Sequence, residues 1–183
     1  MFHEFMCDRT PDSDRSGEYV ASSPLSVLAS GLEQLEATRS RLSKENILTN
    51  MFRLLFVQSP RDFSPTARIL TNSLGPAWGG ESLGVGNSTV SQAVQAATGL
   101  TRTAIRKLYA KLGDLGSIAS EAKQRQSLLF QHRSLSIADL WDSMQSISKR
   151  AGAGSGTARL AACTLLLRRC SSIEIKYVTR ALL

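Results

Sequence analysis

Apolar residues recur at three- and four-residue spacing along most of this chain, a period that predicts helices almost throughout. Leu25, Leu28, Leu32, Leu35 and Leu42 follow Ser23-Pro24, where Ser is the expected N-cap and Pro the first helical residue. Ile47, Leu48, Met51, Leu54 and Leu55 form one face of a second helix, and Phe52 and Phe56 widen that stripe, so deep burial is expected. Ser59-Pro60-Arg61-Asp62 has capping-box spacing with Asp62 in place of Glu, and Ser64-Pro65 offers another cap. A helix through about Ser73 follows, with Phe63, Ala67, Leu70 and Leu74 inward. Residues 74–86 hold five glycines, Pro76 and Trp78, which predicts an irregular connection.

Helical period then returns. Val90, Ala93, Val94 and Ala97 precede a stop at Gly99. Thr101 caps a helix carrying Ile105, Leu108 and Leu112 that ends at Gly113, and Asp114 caps another through about Gln126. Ser136 caps a strong helix in which Ile137, Leu140, Trp141, Met144, Ile147 and Ala151 keep period. Leu160, Cys163, Leu167 and Cys170 line one face of the next. After Ser171-Ser172, residues 173–183 fit a strand or a helix locally, and a helix is expected because the chain offers no sheet to join. The expected fold class is all-α, with about eight or nine helices.

Composition sharpens the picture at one end. With 183 residues and 42% hydrophobic content, a single domain with a real core is expected over residues 23–183. Residues 1–22 show no apolar periodicity and carry five acids against Arg9 and Arg15, the pattern of a disordered acidic tail. That tail holds a net −3 of the chain's +7, which leaves +10 on the rest. From Ser143 onward there are seven cations and a single acid, Glu174. A basic excess of that kind fits a polyanion, though it also suits an anionic membrane or an acidic protein. Three cysteines without metal spacing, no apolar run of membrane-spanning length and no signal-peptide start together predict a soluble intracellular protein in a reduced compartment.

The basic charge gathers around Lys149-Arg150-Ala151-Gly152-Ala153-Gly154-Ser155-Gly156-Thr157-Ala158-Arg159, which lies between two predicted helices. If a helix starts near Ser155, its first N–H groups lack internal partners and its dipole favours an anion. Amides, dipole and cations then describe a phosphate contact made by Lys149, Arg150, Gly152, Gly154, Ser155, Gly156, Thr157 and Arg159. The same residues also suit a flexible interhelical loop capped by Ser155. Catalytic chemistry is sparse. His3 and His132 sit in polar segments, ten acids outside the tail are scattered, and the glycine turn has neither the Lys nor the preceding strand of a nucleotide loop. The residues specify a helical binding module more readily than an enzyme.

Several strings occur in a telling order: Asn50-Met51-Phe52-Arg53, Ser59-Pro60-Arg61-Asp62, Asn72-Ser73-Leu74-Gly75-Pro76 and Leu83-Gly84-Val85-Gly86. Gln92-Ala93-Val94, Ala97-Thr98-Gly99, Gly113-Asp114-Leu115-Gly116, the glycine turn and Glu174-Ile175-Lys176-Tyr177 follow. From about Leu25 to Leu183 the chain resembles the N-terminal DNA-binding domain of eukaryotic ATP-dependent DNA ligases, replicative ligase I-like. The resemblance implies an all-helical domain that clasps nicked duplex DNA from the minor-groove side through phosphate and sugar, in a nuclear protein of DNA replication, repair and recombination. It implies ATP and Mg2+ as cofactors of the full-length enzyme, with none in this chain. The family's glycine/serine turn with a lysine pair falls on residues 152–159, where Ala158 and Arg159 replace the lysines. Ser82 replaces a family Glu, and an aromatic expected near Arg68 is missing.

The Lys-x-Asp-Gly nucleophile motif of the adenylation domain is absent from this sequence, so the chain alone is not expected to seal nicks. The family continues beyond the equivalent of Leu183, so the domain is expected to be C-terminally incomplete. Apolar surface over residues 173–183 and the Leu160/Cys163/Leu167 face is expected to be left uncovered. The competing reading is a degenerate helical fragment that acts in protein–protein interaction without DNA binding.

Overall fold

A computed structural model describes residues 21–79, 82–126 and 134–183, and among them the fold is all-α. Nine α-helices run in order: α1 Leu25–Ala37, α2 Arg41–Gln58, α3 Phe63–Leu70, α4 Asn87–Thr98, α5 Arg102–Leu112, α6 Leu115–Gln124, α7 Ile137–Ser148, α8 Ser155–Arg169 and α9 Ser172–Ala181. Single 3-10 turns occupy Pro60–Asp62 and Ala77–Gly79. The only β pairing among the described residues is an isolated bridge between Pro24 and Ser136. Residues 1–20, Cys7 and His3 among them, and His132 lie outside the described residues.

Where the chain stops and starts helices by short-range chemistry, the expected boundaries hold. Thr101, Asp114, Ser136 and Ser171 each accept an amide hydrogen from the third residue of the helix that follows, and Ser136–Asp139 and Ser171–Glu174 are complete capping boxes. Gly99 and Gly113 close α4 and α5 in the left-handed conformation, at φ 73° and 70°. Residues 172–181 are helical, so the helix expectation for the C-terminal segment holds up to Ala181. Three proposed caps are used differently. Ser23 does not cap α1; its carbonyl takes the Ile137 amide, while the Leu25 amide donates to the Leu135 carbonyl. Asp62 forms no capping box; its carboxylate accepts the Ser22 hydroxyl at 2.9 Å and the Ser23 amide at 2.6 Å. The Ser59 hydroxyl donates to the Ala21 carbonyl at 2.7 Å. These polar groups anchor residues 21–23 instead of fraying helix ends.

Burial corrects three further expectations. Leu42 belongs to α2, not to the α1 stripe, and is exposed. Only Met51 and Leu55 of α2 are buried, whereas Phe56 is 64% and Val57 81% exposed. One face of α2 packs on α1, with Met51 against the buried Gly31, and nothing described covers the other. On α3 the inward residues are Thr66 and Ile69, with Phe63 turned out to stack against Phe52 at 5.0 Å between ring centres. The short 3-10 turn before α3 rotates its face away from the Phe63/Ala67/Leu70 stripe. Ile175, Val178, Leu182, Cys163 and Leu167 are buried, so most of the surface expected to lie bare is covered by helix packing, whereas Ile173 is 37% and Leu183 48% exposed. Burial also raises the pKa of the free thiols of Cys163 and Cys170, in keeping with core residues.

Two helix pairs organise the core. The α4–α8 pair buries Val90, Ala93, Val94, Cys163 and Leu167. In the α6–α9 pair the backbones approach closely at Gly116, where a Cβ would press into the Lys176 carbonyl oxygen. Asp114 accepts from Arg180 at 2.8 Å, Arg180 and Lys176 both reach Glu36 of α1, and the Tyr177 hydroxyl donates to Glu36 at 3.0 Å. Arg180, Lys176 and Tyr177 hold the Glu36 carboxyl at a pKa of about 2 against partial burial. Burial opposes ionisation of Asp114, yet bonds from Arg180 and from the Ser117 hydroxyl and amide bring its pKa to about 2 as well.

Two predictions follow from this packing. Gly116→Ala should destabilise the domain by about 1–3 kcal/mol through overpacking of the α6–α9 crossing, read as a lower urea midpoint at unchanged m. A variant as stable as the parent would show that the crossing relaxes freely. Both carboxylates have folded pKa values below their ordinary 4.5 and 3.8, so their stabilisation is complete above those values. It is lost as the pH falls from about 4.5 towards 2. Thermal melts of Glu36→Gln/Asp114→Asn should show lower stability at pH 7 and a shallower loss across that window than the parent.

Candidate nucleic-acid interface

The glycine turn is a built structure, held by its own arginines. The Arg150 guanidinium donates to the Ala158 carbonyl at 3.2 Å, and the Arg159 guanidinium donates back to the Arg150 carbonyl. A second Arg159 nitrogen, Nη1, donates to the Gly84 carbonyl at 2.9 Å. Arginine suits this task because its rigid fork presents several donors at fixed angles. Gly84 has φ 60°, a conformation that favours glycine, and a Cβ there would lie 2.7 Å from the same Nη1 and push the guanidinium aside. The Nε atoms of Arg150 and Arg159 are buried and without an acceptor among the described residues.

Helix α8 begins immediately after Gly154, which sits at φ 79° and takes the N-cap position. Ser155 is therefore the first helical residue, not the cap; its amide donates to the Gly152 carbonyl at 3.2 Å. The Ala158 amide donates to the Gly154 carbonyl at 3.1 Å, whereas the amides of Gly156 and Thr157 find no backbone acceptor among the described residues. A Cβ at Gly152, Gly154 or Gly156 would meet nothing within 4 Å, so this side of the turn is open to solvent. Lys149, at the end of α7, is exposed and makes no ion pair among the described residues.

Helices α4 and α8 run parallel. Arg159 near the start of α8 reaches Gly84 just before α4, and Arg168 near its end donates to the Ala96 carbonyl near the end of α4 at 3.1 Å. Both N-termini consequently open on one side, where the amides of Asn87 and Ser88 also find no backbone acceptor. Two positive dipole ends and at least four free N–H groups thus share one face. The structure brings together every residue singled out in the turn, ties Arg150 and Arg159 into its framework, and leaves Lys149 free. It adds Gly84, Asn87 and Ser88 from residues 75 positions or so earlier in the chain. Their signal in sequence was Leu83-Gly84-Val85-Gly86 ahead of a helix, but no local pattern pairs it with Arg159.

No group of three or more His, Cys, Asp or Glu side chains that would hold a metal occurs among the described residues. No described helix is long and apolar enough to cross a membrane. What the face presents is a set of fixed backbone donors with positive charge around them, on an all-helical module.

Comparison with known proteins places that module. The family described as DNA ligase N terminus matches residues 24–183, and the chain belongs to it. It is 33% identical to DNA ligase 6 of Arabidopsis thaliana over 81% of this chain and 11% of that protein. It is 30% identical to DNA ligase 1 of Dictyostelium discoideum over 92% of this chain and 14% of that protein. With DNA ligase 1 of Saccharomyces cerevisiae the identity is 28%, over 93% of this chain and 23% of the relative. The chain thus spans between about a tenth and a quarter of these relatives' length.

The double role of Arg159 generates a prediction. Arg159→Lys keeps the charge but cannot hold two carbonyls 66 positions apart in sequence with one fork, so stability should fall by about 1–3 kcal/mol. Lys149→Ala should leave the melting temperature unchanged. If Arg159→Lys melts like the parent, the guanidinium is a surface charge and not a strut.

Proposed function

We propose that this domain binds duplex DNA, nicked or intact, through its phosphate–sugar backbone, as the DNA-holding part of an ATP-dependent DNA ligase. The observation that carries this reading is the pair of parallel helix starts, α4 and α8, that share one face of unpartnered amides beside exposed Lys149 and the open glycines. Donors of that kind recognise phosphate oxygens and carry no base information. Gly152, Gly154, Ser155, Gly156 and Thr157 supply the close approach and the amides. Arg150 and Arg159 supply field and framework. The names of the relatives support a ligase context; a role in DNA replication, repair and recombination in the nucleus is part of the proposal. ATP and Mg2+ would serve the adenylation and sealing steps of the whole enzyme, in regions this chain does not contain.

The rival reading, a protein-interaction module, draws on the uncovered Leu54, Phe56, Val57 and Phe63. Anion binding at the α4–α8 face is independent of that stripe, and both surfaces can be tested separately.

Anisotropy titrations against salt on unrelated nicked and intact duplexes test the proposal. The parent should bind all sequences similarly, with affinity falling steeply as salt rises. Lys149→Ala should make the log–log slope shallower by about 0.9. Gly154→Val should weaken binding without altering charge, because a branched residue in the left-handed region costs roughly 1–2 kcal/mol and its side chain blocks backbone approach. Absence of salt-dependent binding by the folded parent would sink the proposal.

A further inference from the structure

The cations of this domain divide by whether the protein itself uses them. Arg180 and Lys176 are paired with Glu36 and Asp114, Arg168 and Arg159 hold carbonyls of other segments, and the buried Lys123 donates to the Arg168 carbonyl. Helix α5 is different. Arg102, Arg106, Lys107 and Lys111 are all exposed, no acid lies on the helix, and none of the four has an ion-pair partner among the described residues.

Two of these positions work against folding. Arg102 is the first helical residue of α5, where the dipole disfavours a cation. Arg106 follows one turn later, and like charges at that spacing repel, as Lys107 and Lys111 also do on the opposite flank; only the Arg102 placement at the positive helix end is particular to this pair. Neither cost is offset by a contact within the domain. Both side chains, together with Tyr109, line a groove of about 580 Å³ whose lining also includes Asn87 and Ser91 of α4 and Asp114, the latter neutralised by Arg180 at 2.8 Å. Asn87 is one of the free amides of the α4–α8 face, so the groove is continuous with that face. Lys107 and Lys111 point away from it on the opposite flank of α5 and line no part of it.

We propose that Arg102 and Arg106, with Tyr109 beside them, form a second phosphate contact that extends the α4–α8 footprint along the same DNA. The proposal rests on the DNA-binding reading above. An anion placed there relieves both the dipole conflict and the Arg102–Arg106 repulsion. The occupant is nucleic acid because the groove shares the α4 N-terminus with the first phosphate site. A regular polyanion passing that terminus meets Arg102 and Arg106 about 6 Å apart along the helix axis.

The experiment compares the parent, Arg102→Ala/Arg106→Ala, and Lys107→Ala/Lys111→Ala, which remove equal charge from opposite flanks of one helix. All three are titrated with long duplex DNA across a fourfold range of salt and with polyglutamate, after their melting curves have been matched. The Arg102/Arg106 variant should lose about 1.8 from the log–log slope, so that the salt rise costs the parent about twelvefold more affinity than it costs the variant. The Lys107/Lys111 variant should keep most of the parental slope. Equal losses from both variants would reduce the effect to net charge and overturn the proposal, as would no loss from either. Unchanged DNA slopes with weakened polyglutamate binding would overturn it in favour of an acidic protein partner. A parent that binds no duplex overturns both this contact and the reading it rests on. A binding parent with an unaltered Arg102/Arg106 variant overturns this contact alone.

Discussion

One guanidinium sets the geometry on which the binding face depends. Arg159 takes the Gly84 carbonyl with one nitrogen and the Arg150 carbonyl with another. Those contacts lock the first turn of α8 against the segment that leads into α4. Because the two helices then run side by side in the same direction, their positive ends coincide. That arrangement carries an electrostatic cost, since parallel dipoles side by side repel. Burial of Val90, Val94, Cys163 and Leu167 between the helices offsets it. An anion at the shared end relieves it, which is why a backbone-reading site at that place is physically consistent with the fold.

The cations that gave the sequence its basic character do unequal work. Arg150, Arg159 and Arg168 satisfy carbonyls that would otherwise lack partners at turns and helix ends. Arg180 and Lys176 join α9 to α1 and α6 through Glu36 and Asp114. These groups still add to the surrounding field, but they cannot follow a ligand. Lys149 and the α5 residues, like Arg39, Lys44, Arg53 and Arg61, are exposed and make no ion pair among the described residues. Net charge therefore overstates how many cations a polyanion can engage directly.

The sequence was most legible where a residue acts on its own neighbours. Thr101, Asp114, Ser136 and Ser171 cap helices within three residues, and Gly99 and Gly113 end them by a dihedral preference that depends on nothing distant. It was least legible where the same residue types act at long range. Asp62 looks like a cap partner, yet it secures Ser22 and Ser23, some forty positions earlier. The apolar stripe on α2 reads as core because its period is right, but period does not reveal whether a second surface is available to cover it. The glycine turn was visible as a cluster of small residues and cations. The role of Arg159 was not, because its partner Gly84 lies 75 residues away.

Fixed amides and mobile cations contribute to polyanion binding in different ways. The amides of Asn87, Ser88, Gly156 and Thr157 are positioned by the helices, so they lose little freedom when an anion arrives. Their partial charges are also spent locally, within the first turn. Lys149 and the α5 arginines are long and solvated, and on meeting phosphate they would displace counterions condensed on the polyanion, so their contribution falls as salt rises. On the proposed reading, a face that combines the two would draw DNA in through its cations and set the register through its amides. Substitutions among the cations should then act mainly on the salt-dependent part of affinity, and distortion of the glycine turn on the part that persists when charges are screened. The reciprocal bonds between Arg150 and the turn matter for that second part, because they keep the amides in place before any ligand is present.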